Sequence, residues 1–327
     1  MMIRTRWSIV AACCLALGVL ASASVVAQDW PTRTVKFISP FPPGGSVDPL
    51  ARLLAAKLTD SLGQTFIVEN KTGASGSIGT AFAAKSPPDG YTFVFVFDTH
   101  AVNPSLIPDM PFDTVKDLAP VMLIGTSPMA IVTAPGKPYK TFADVISAAK
   151  AKPDTISYGS IGLGSLGQLT VTLLQQAGGF KLVHVPYKGG GPMVVDALGG
   201  QTELAIGSVA LLAPQVKSGK LRALAVTGDK RSSAMPDIPA LAEEGFPGFS
   251  ALAWWGVFAP AGTPRPIIDK LNAEFAKTIN QPEVRKQLSE QLGMDLVLSS
   301  PEDLQKWTVG QIERWAKVVK ETGIRAE

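Results

Sequence analysis

Two stretches of this chain share one local pattern: a short apolar run, a turn built on glycines, then apolar residues at helical spacing. In the first, Val35-Lys36-Phe37-Ile38 leads into Phe41-Pro42-Pro43-Gly44-Gly45-Ser46-Val47-Asp48, and Val47, Leu50, Leu54, Leu58 and Leu62 follow. In the second, Ile156-Ser157-Tyr158 leads into Gly159-Ser160-Ile161-Gly162-Leu163-Gly164-Ser165, and Leu166, Leu169 and Leu173 follow. A strand that turns into a helix this way aims unpaired backbone N–H groups and the positive end of the helix dipole at one point, which suits an anion. Pro42 and Pro43 stiffen the approach, and Gly44 and Gly45 let a ligand reach the backbone. A tight turn that binds nothing is the alternative for either stretch alone; the recurrence favours an anion site.

The length of 327 residues suggests about two domains at ~150 residues each. The apolar share of 46% is enough for large cores. The N-terminus reads as an export signal over residues 1–27. Arg4 and Arg6 give a positive start, Ile9 to Leu20 an apolar core, and Ala21-Ser22-Ala23 and Val25-Val26-Ala27 small-residue cleavage sites. The apolar run is short of the ~20 residues of a spanning helix. A lipoprotein signal ending at Cys13 would have too short a hydrophobic stretch before it. Cleavage near Ala27 makes Gln28 the new N-terminus and removes Cys13 and Cys14, so no disulfide, thiolate metal site or cysteine nucleophile is expected. The formal net charge of +3 falls to +1 once Arg4 and Arg6 are gone, which is no footprint for nucleic acid. A product in the bacterial periplasm is the natural reading.

Along the mature chain, short strands alternate with helices, as in an α/β protein with mostly parallel sheets. Strands are expected at 35–39, 66–69, 93–97, 121–124, 130–133, 156–158, 183–185, 204–206 and 223–226, with a break at Ser127-Pro128. Asp98-Thr99-His100-Ala101-Val102-Asn103 reads as the loop after a strand. Beyond Pro264 and Pro266 the chain is helical, and helices need a sheet to cover. The chain is therefore expected to return to its first domain near Leu252. That gives a first lobe of residues 28–128 plus 251–327 and a second of 129–250, joined by two crossing strands that can hinge. Ligands of open α/β sheets lie at the carboxyl ends of the strands, where the glycine turns are.

Other chemistries find little support. Gly162-Leu163-Gly164-Ser165-Leu166-Gly167 matches a dinucleotide fingerprint, but no acidic residue follows ~20 positions on for the ribose. No Gly-x-Ser-x-Gly elbow and no phosphate loop ending in Lys-Ser/Thr occurs. His100 and His184 stand in different halves, which leaves little for a metal site or a triad. His184 reads as a core strand residue, whereas His100 can face the cleft. Trp254 and Trp255 point to opposite faces of one strand and can be plain core, or one of them can wall the cleft. None of the glycine turns at 41–48, 72–79 and 159–167 carries an Arg, so a carboxylate would be held by N–H groups and by hydroxyls such as Ser46 and Ser165.

Several motifs together resemble the Bug family, the solute-binding proteins of tripartite tricarboxylate transporters. They are Phe-Pro-Pro-Gly-Gly-Ser-Val-Asp at 41–48, Val68-Glu69-Asn70-Lys71 with Gly73-Ala74-Ser75-Gly76, Pro88-Asp89-Gly90-Tyr91, and His184-Val185-Pro186-Tyr187-Lys188-Gly189. Gly219-Lys220-Leu221-Arg222-Ala223-Leu224-Ala225-Val226 and Phe258-Ala259-Pro260-Ala261-Gly262-Thr263-Pro264 extend the likeness over the whole chain after the leader. The resemblance implies a two-lobed periplasmic binding fold of the flytrap type, closing on a small carboxylate that it delivers to a membrane permease. It implies no cofactor and no catalysis, and the protein is expected to be a monomer. An exported α/β enzyme or a ligand sensor using the same cleft is the alternative. The implied ligand contacts are Pro43, Gly44, Gly45, Ser46 and Asp48 in the first lobe, facing Ser160, Gly164 and Ser165 in the second. Thr99, His100 and Asn103, with Tyr187, Gly207 and Ser208, would flank the rest of the ligand. Many members have His where Gln168 stands and Asp where Gly207 stands. The missing carboxylate at Gly207 removes a partner for an ammonium group. A di- or tricarboxylate, or an aromatic acid near Tyr187, Trp254 or Phe97, is therefore expected over an amino acid.

Overall fold

The computed structural model describes residues 30–324; the expected leader, with its cleavage site and both cysteines, lies outside them. In chain order the elements are β1 (Val35–Ser39), α1 (Val47–Leu62), β2 (Phe66–Asn70), α2 (Ser77–Ala84), β3 (Thr92–Val96), α3 (Thr99–Leu106) and β4 (Leu118–Thr133). Then come α4 (Phe142–Ala151), β5 (Ser157–Ser160), α5 (Leu166–Gly178), β6 (Val183–Pro186), α6 (Gly190–Leu198), β7 (Leu204–Ser208), α7 (Val209–Lys217) and β8 (Arg222–Val226). The chain closes with β9 (Leu252–Pro260), α8 (Arg265–Ile279), α9 (Pro282–Lys286), β10 (Asp295–Leu296) and α10 (Pro301–Thr322). Among the described residues no helix is long and apolar enough to cross a membrane.

The strands run in the order β2-β1-β3-β9-β4-β7-β5-β6, with β8 and β10 also on β4. Away from the centre the pairs β1–β2, β1–β3, β5–β6 and β5–β7 are parallel, as the alternating pattern predicts. The pairs at the centre are antiparallel. The reason is the path of the chain: it leaves the first set of strands along β4 and returns along β9, so the two crossing strands run in opposite directions. The first part of β4 pairs with β9 from Leu118↔Pro260 to Pro128↔Leu252, and Met129–Thr133 pairs with β7 and β8. Two lobes thus share one pair of strands. The expected break at Ser127-Pro128 does not occur, because Pro128 sits at the last register position of β9, where the partners change and a ladder N–H is not required.

Why the C-terminal helices return to the first set of strands is a matter of apolar surface. Phe37, Phe93 and Phe95 are fully buried on β1 and β3, and Phe275 of α8 meets Phe37 and Phe95 at centroid distances of 5.8 and 5.9 Å. Such aromatic pairs are worth about 0.5–1.5 kcal/mol beyond their burial. α10 packs on α3 and on β4. The segment read as a loop after β3 is helix α3, with Pro104 inside it.

The lobes touch at backbone distance. Gly189–Gly191, at the start of α6, lie against the Pro42–Gly45 turn. A Cβ on Gly191 would stand 2.8 Å from the Pro43 carbonyl oxygen, and one on Gly189 2.9 Å from the Pro42 ring. Elsewhere Ser75 Oγ donates to the Leu163 carbonyl across the interface at 3.0 Å.

Gly191→Ala should therefore disfavour this closed arrangement, by about 1–3 kcal/mol, without disturbing either lobe. X-ray scattering is expected to give a larger radius of gyration, with the urea midpoint within experimental error of the parent. Gly79→Ala acts inside one lobe: its Cβ would stand 2.4 Å from the Lys71 carbonyl oxygen and 2.9 Å from Pro40 Cα. It is expected to lower stability by about 1–3 kcal/mol, read as a lower urea midpoint.

Candidate functional site

The Pro-Gly-Gly turn is held by groups that are used up in holding it. Asp48, buried in the first turn of α1, accepts from Asn70 Nδ2 at 2.7 Å and from Arg52 Nε at 2.9 Å. Asn70 also donates to the Phe41 carbonyl at 3.0 Å, so β2 fastens both ends of the turn. Gly44 has φ +87°, a conformation open to glycine at little cost. Ser46 occupies the N-cap position of α1 but does not cap it. Its Oγ accepts instead from Trp255 Nε1 at 3.2 Å. Trp255 belongs to the returning strand β9, is fully buried, and lies 5.2 Å from Phe97 by ring centroid. With an acceptor position of Ser46 taken by an indole, its hydroxyl proton is free to point outward.

Between the lobes lies a narrow space of about 360 Å³, counting what is open to solvent. The first lobe lines it with Phe41, Gly45, Ser46, Val47 and Phe97; the second with Met129, Ile161, Gly190, Ser208 and Leu211. Three helices start at this wall: α1 at Val47, α6 at Gly190 and α7 at Val209. Each start leaves backbone N–H groups without intrahelical partners and contributes the positive end of a dipole. No lining residue carries a charge. The site is a neutral, donor-rich corner with apolar sides, fitted to a small anion that has an apolar body.

Of the residues singled out from the sequence, the structure brings Gly45, Ser46 and Ser208 to this space, and Pro43 and Gly44 to the lobe contact beside it. The others lie elsewhere. Asp48 is enclosed by Asn70 and Arg52, as described. Thr99 Oγ1 and Asn103 Nδ2 both donate to the Ser75 carbonyl, at 2.9 and 3.1 Å, and hold the strained Ala74-Ser75 turn. His100 is in the core of the first lobe, 5.0 Å from Phe258 and stacked on Phe112 at 6.4 Å; burial lowers its pKa to about 3. Tyr187 donates to Asp196 Oδ2 at 2.8 Å and covers Gly159; burial and Asp196 push its hydroxyl up to about 12. Gly207 packs under Met193 and Leu211.

The second glycine turn is not opposite the first. A Cβ on Gly164 would stand 1.9 Å from Leu106 Cδ1, so this turn faces α3. Ser165 caps α5, its Oγ accepting weakly from the Gln168 N–H at 3.4 Å and donating to Ser160 Oγ at 3.1 Å. Ser160 Oγ lies 2.7 Å from His184 Nε2, whose pKa burial lowers to about 4. Ser160 also accepts from the Gly162 N–H, so this serine–histidine contact fastens the turn. The partner that the Pro-Gly-Gly turn does meet is Gly189–Gly191. Its signal was in the sequence, a glycine triplet following β6, but pairing across a cleft is a tertiary fact. Phe41, Phe97, Met129, Ile161 and Leu211 carry no chemical signature that separates them from core residues.

Comparison with known proteins shows the family. The model of the tripartite tricarboxylate transporter family receptor matches residues 50–324. The chain is 39% identical over 306 residues to protein BugT of Bordetella pertussis, covering 93% of this chain and 94% of that protein. It is similar to a solved R. palustris protein with adipate, at TM-score 0.87 and 36% identity over 90% of this chain and 99% of that one. It is also similar to MatC from Rhodopseudomonas palustris with bound malate, at TM-score 0.83 and 32% identity over 89% of this chain and all of that one (100%). Three converging helix starts, an uncharged lining, a two-stranded crossing and these likenesses agree, and the chain belongs to the tripartite tricarboxylate transporter receptor family, which includes the Bug proteins.

Proposed function

We propose that this protein is an exported receptor that closes on a small carboxylate and hands it to the membrane permease of a tripartite tricarboxylate transporter. It performs no chemistry on the ligand. The lobes are residues 28–128 with 251–327, and 129–250, and they hinge where β4 and β9 cross. The observation that carries this reading is the meeting of the α1, α6 and α7 starts around an uncharged space. A carboxylate there accepts from backbone N–H groups and from the Ser46 and Ser208 hydroxyls, and its apolar body lies along Phe41, Phe97, Met129, Ile161 and Leu211. Adipate in one similar structure and malate in another support a dicarboxylate for this chain. The pocket lining offers no carboxylate to hold an ammonium group, which favours plain acids over amino acids.

Calorimetric titration with adipate, malate, glutamate and aspartate tests the reading. One of the two plain acids is expected to bind at least tenfold more tightly than either amino acid, and tight binding of glutamate or aspartate alone would end the preference. Ser46→Ala is expected to weaken that acid by about 10- to 100-fold, since a hydrogen bond to a charged group is worth about 1.5–3 kcal/mol. Trp255→Phe keeps the core filled but frees Ser46, and a several-fold weaker affinity with an unchanged fold, seen by circular dichroism, is the expected result.

A further inference from the structure

Met129 is the first residue of β4 beyond Pro128, at the point where pairing passes from β9 to β7 and β8. Its side chain lines the space between the lobes, and it is fully buried. Its register partner on β7 is Ser208, so the thioether and the Ser208 hydroxyl are neighbours on one face of the sheet. The tip of the thioether meets α5: a Cβ on Gly167 would stand 3.6 Å from Met129 Cε. Gly167 has no side chain and does not itself line the space, so Met129 fills the interval between the cleft and the α5 backbone there.

We propose that Met129 is a specificity-determining residue: its side chain is the adjustable end wall of the site and sets how long an acid the closed lobes accept. This rests on the carboxylate-receptor reading and extends it from the charged head of the ligand to its apolar body. The main chain at this wall is fixed. The Met129 N–H donates to Thr227 Oγ1 at 2.9 Å, and the Met129 carbonyl accepts from the Thr227 N–H at 2.9 Å. Thr227 is tied in turn to Ala251, the residue before β9: its carbonyl accepts from the Ala251 N–H at 3.0 Å, and its hydroxyl donates to the Ala251 carbonyl at 2.5 Å. Both crossing strands thus hold the Met129 backbone, and any adjustment of the wall falls to the side chain.

The other apolar lining residues have less freedom. Phe41 and Phe97 meet edge to face at 6.1 Å, and Phe97 lies 5.2 Å from Trp255. Val47 and Ile161 are branched at Cβ, which restricts χ1. Leu211 is wedged against backbone: its Cδ2 lies 2.8 Å from where a Cβ on Gly190 would stand and 3.2 Å from one on Gly207. Methionine is unbranched, with three rotatable bonds and a polarisable sulfur, and fits itself to irregular apolar shapes. Among the lining residues only Met129 has that freedom. While its tip rests on Gly167, the ligand body stops at the thioether. A longer body displaces the tip and loses that packing; a shorter body leaves a gap without contacts. Affinity therefore has an optimum in ligand length, and this side chain sets it.

Calorimetry of the full mature protein with two straight-chain series, butanoate to decanoate and succinate to sebacate, gives Kd against length. Met129→Ala is expected to move the optimum to acids longer by about two or three carbons, because loss of Cγ, Sδ and Cε leaves room for that many methylenes. Each methylene that enters this room should tighten Kd about fourfold, while the parent's best acid weakens. Met129→Phe should move the optimum to shorter acids and weaken the parent's best acid by about tenfold or more. Circular dichroism checks that each variant is folded. A second measurement reads the parent itself: in methionine-methyl NMR spectra, assigned with the volume-conserving Met129→Leu, the Met129 signal should move on saturation and move differently with acids of different length. An optimum that stays at the parent's length in folded Met129→Ala, or a Met129 methyl signal that saturating acid does not move, overturns the proposal and leaves the carboxylate reading intact. No saturable binding of any acid of either series by the parent overturns both.

Discussion

The proposed site depends on backbone N–H groups doing what a charged side chain does in many anion sites. A helix start is worth about half an elementary charge, and about 0.3–2 kcal/mol toward an anion depending on burial. One start alone binds little. Three starts at one small space make the proposed site, and the rest of the architecture brings them together. α1 comes from the first lobe, α6 and α7 from the second. Their meeting needs backbones at van der Waals contact, which is why Gly190 and Gly191 stand against Gly44 and Gly45. A side chain at Gly191 would hold the lobes apart by its own width.

Many polar side chains near the cleft are structural for the same reason. A backbone site is only as accurate as the turn that presents it. Asp48, Asn70 and Arg52 fix both ends of the Pro-Gly-Gly turn. Thr99 and Asn103 fix the Ser75 carbonyl, so that the Ser75 hydroxyl can reach the other lobe. Trp255 sets the direction of the Ser46 proton from below. It does so from β9, one of the two strands that cross between the lobes. The first-lobe turn is thus tied to the crossing itself.

Much of this was legible in the chain. Strand–glycine turn–helix repeats pointed to the α/β class, and the C-terminal helices implied a return to the first sheet. The Phe-Pro-Pro-Gly-Gly-Ser stretch could be read as a turn that lines the space between the lobes because its chemistry is local: two prolines, two glycines and a hydroxyl act through their own backbone. What could not be read is which turn faces it. Gly159–Ser165 and Gly189–Gly191 look equally suited, and only the packing of Leu106 onto Gly164 decides between them. Thr99, Asn103 and Asp48 were read as ligand contacts because polar residues at strand ends serve either the ligand or the turn. Their partners Ser75 and Asn70 are distant in sequence, and only Arg52 is near, one turn from Asp48 on α1. β4 was read as two strands because a proline normally breaks a ladder, and Pro128 is spared by the change of partners there.

Division of the anion site between lobes has a thermodynamic consequence. On the proposed function, an open form would offer the ligand one helix start and Ser46, and little gain. In the closed form it would gain two further starts in a drier place, where each is worth more. The ligand therefore has a large differential affinity for the closed form, and that difference alone is what shifts the population toward closure. An Arg in the first lobe would spoil this. It would bind the carboxylate strongly in the open form as well, and would add equally to both states without driving closure. It would also slow release once the lobes reopened. A receptor that must capture an acid, signal by its shape that it has done so, and then give the acid up is better served by weak neutral donors divided across a hinge than by one strong charge on either side of it.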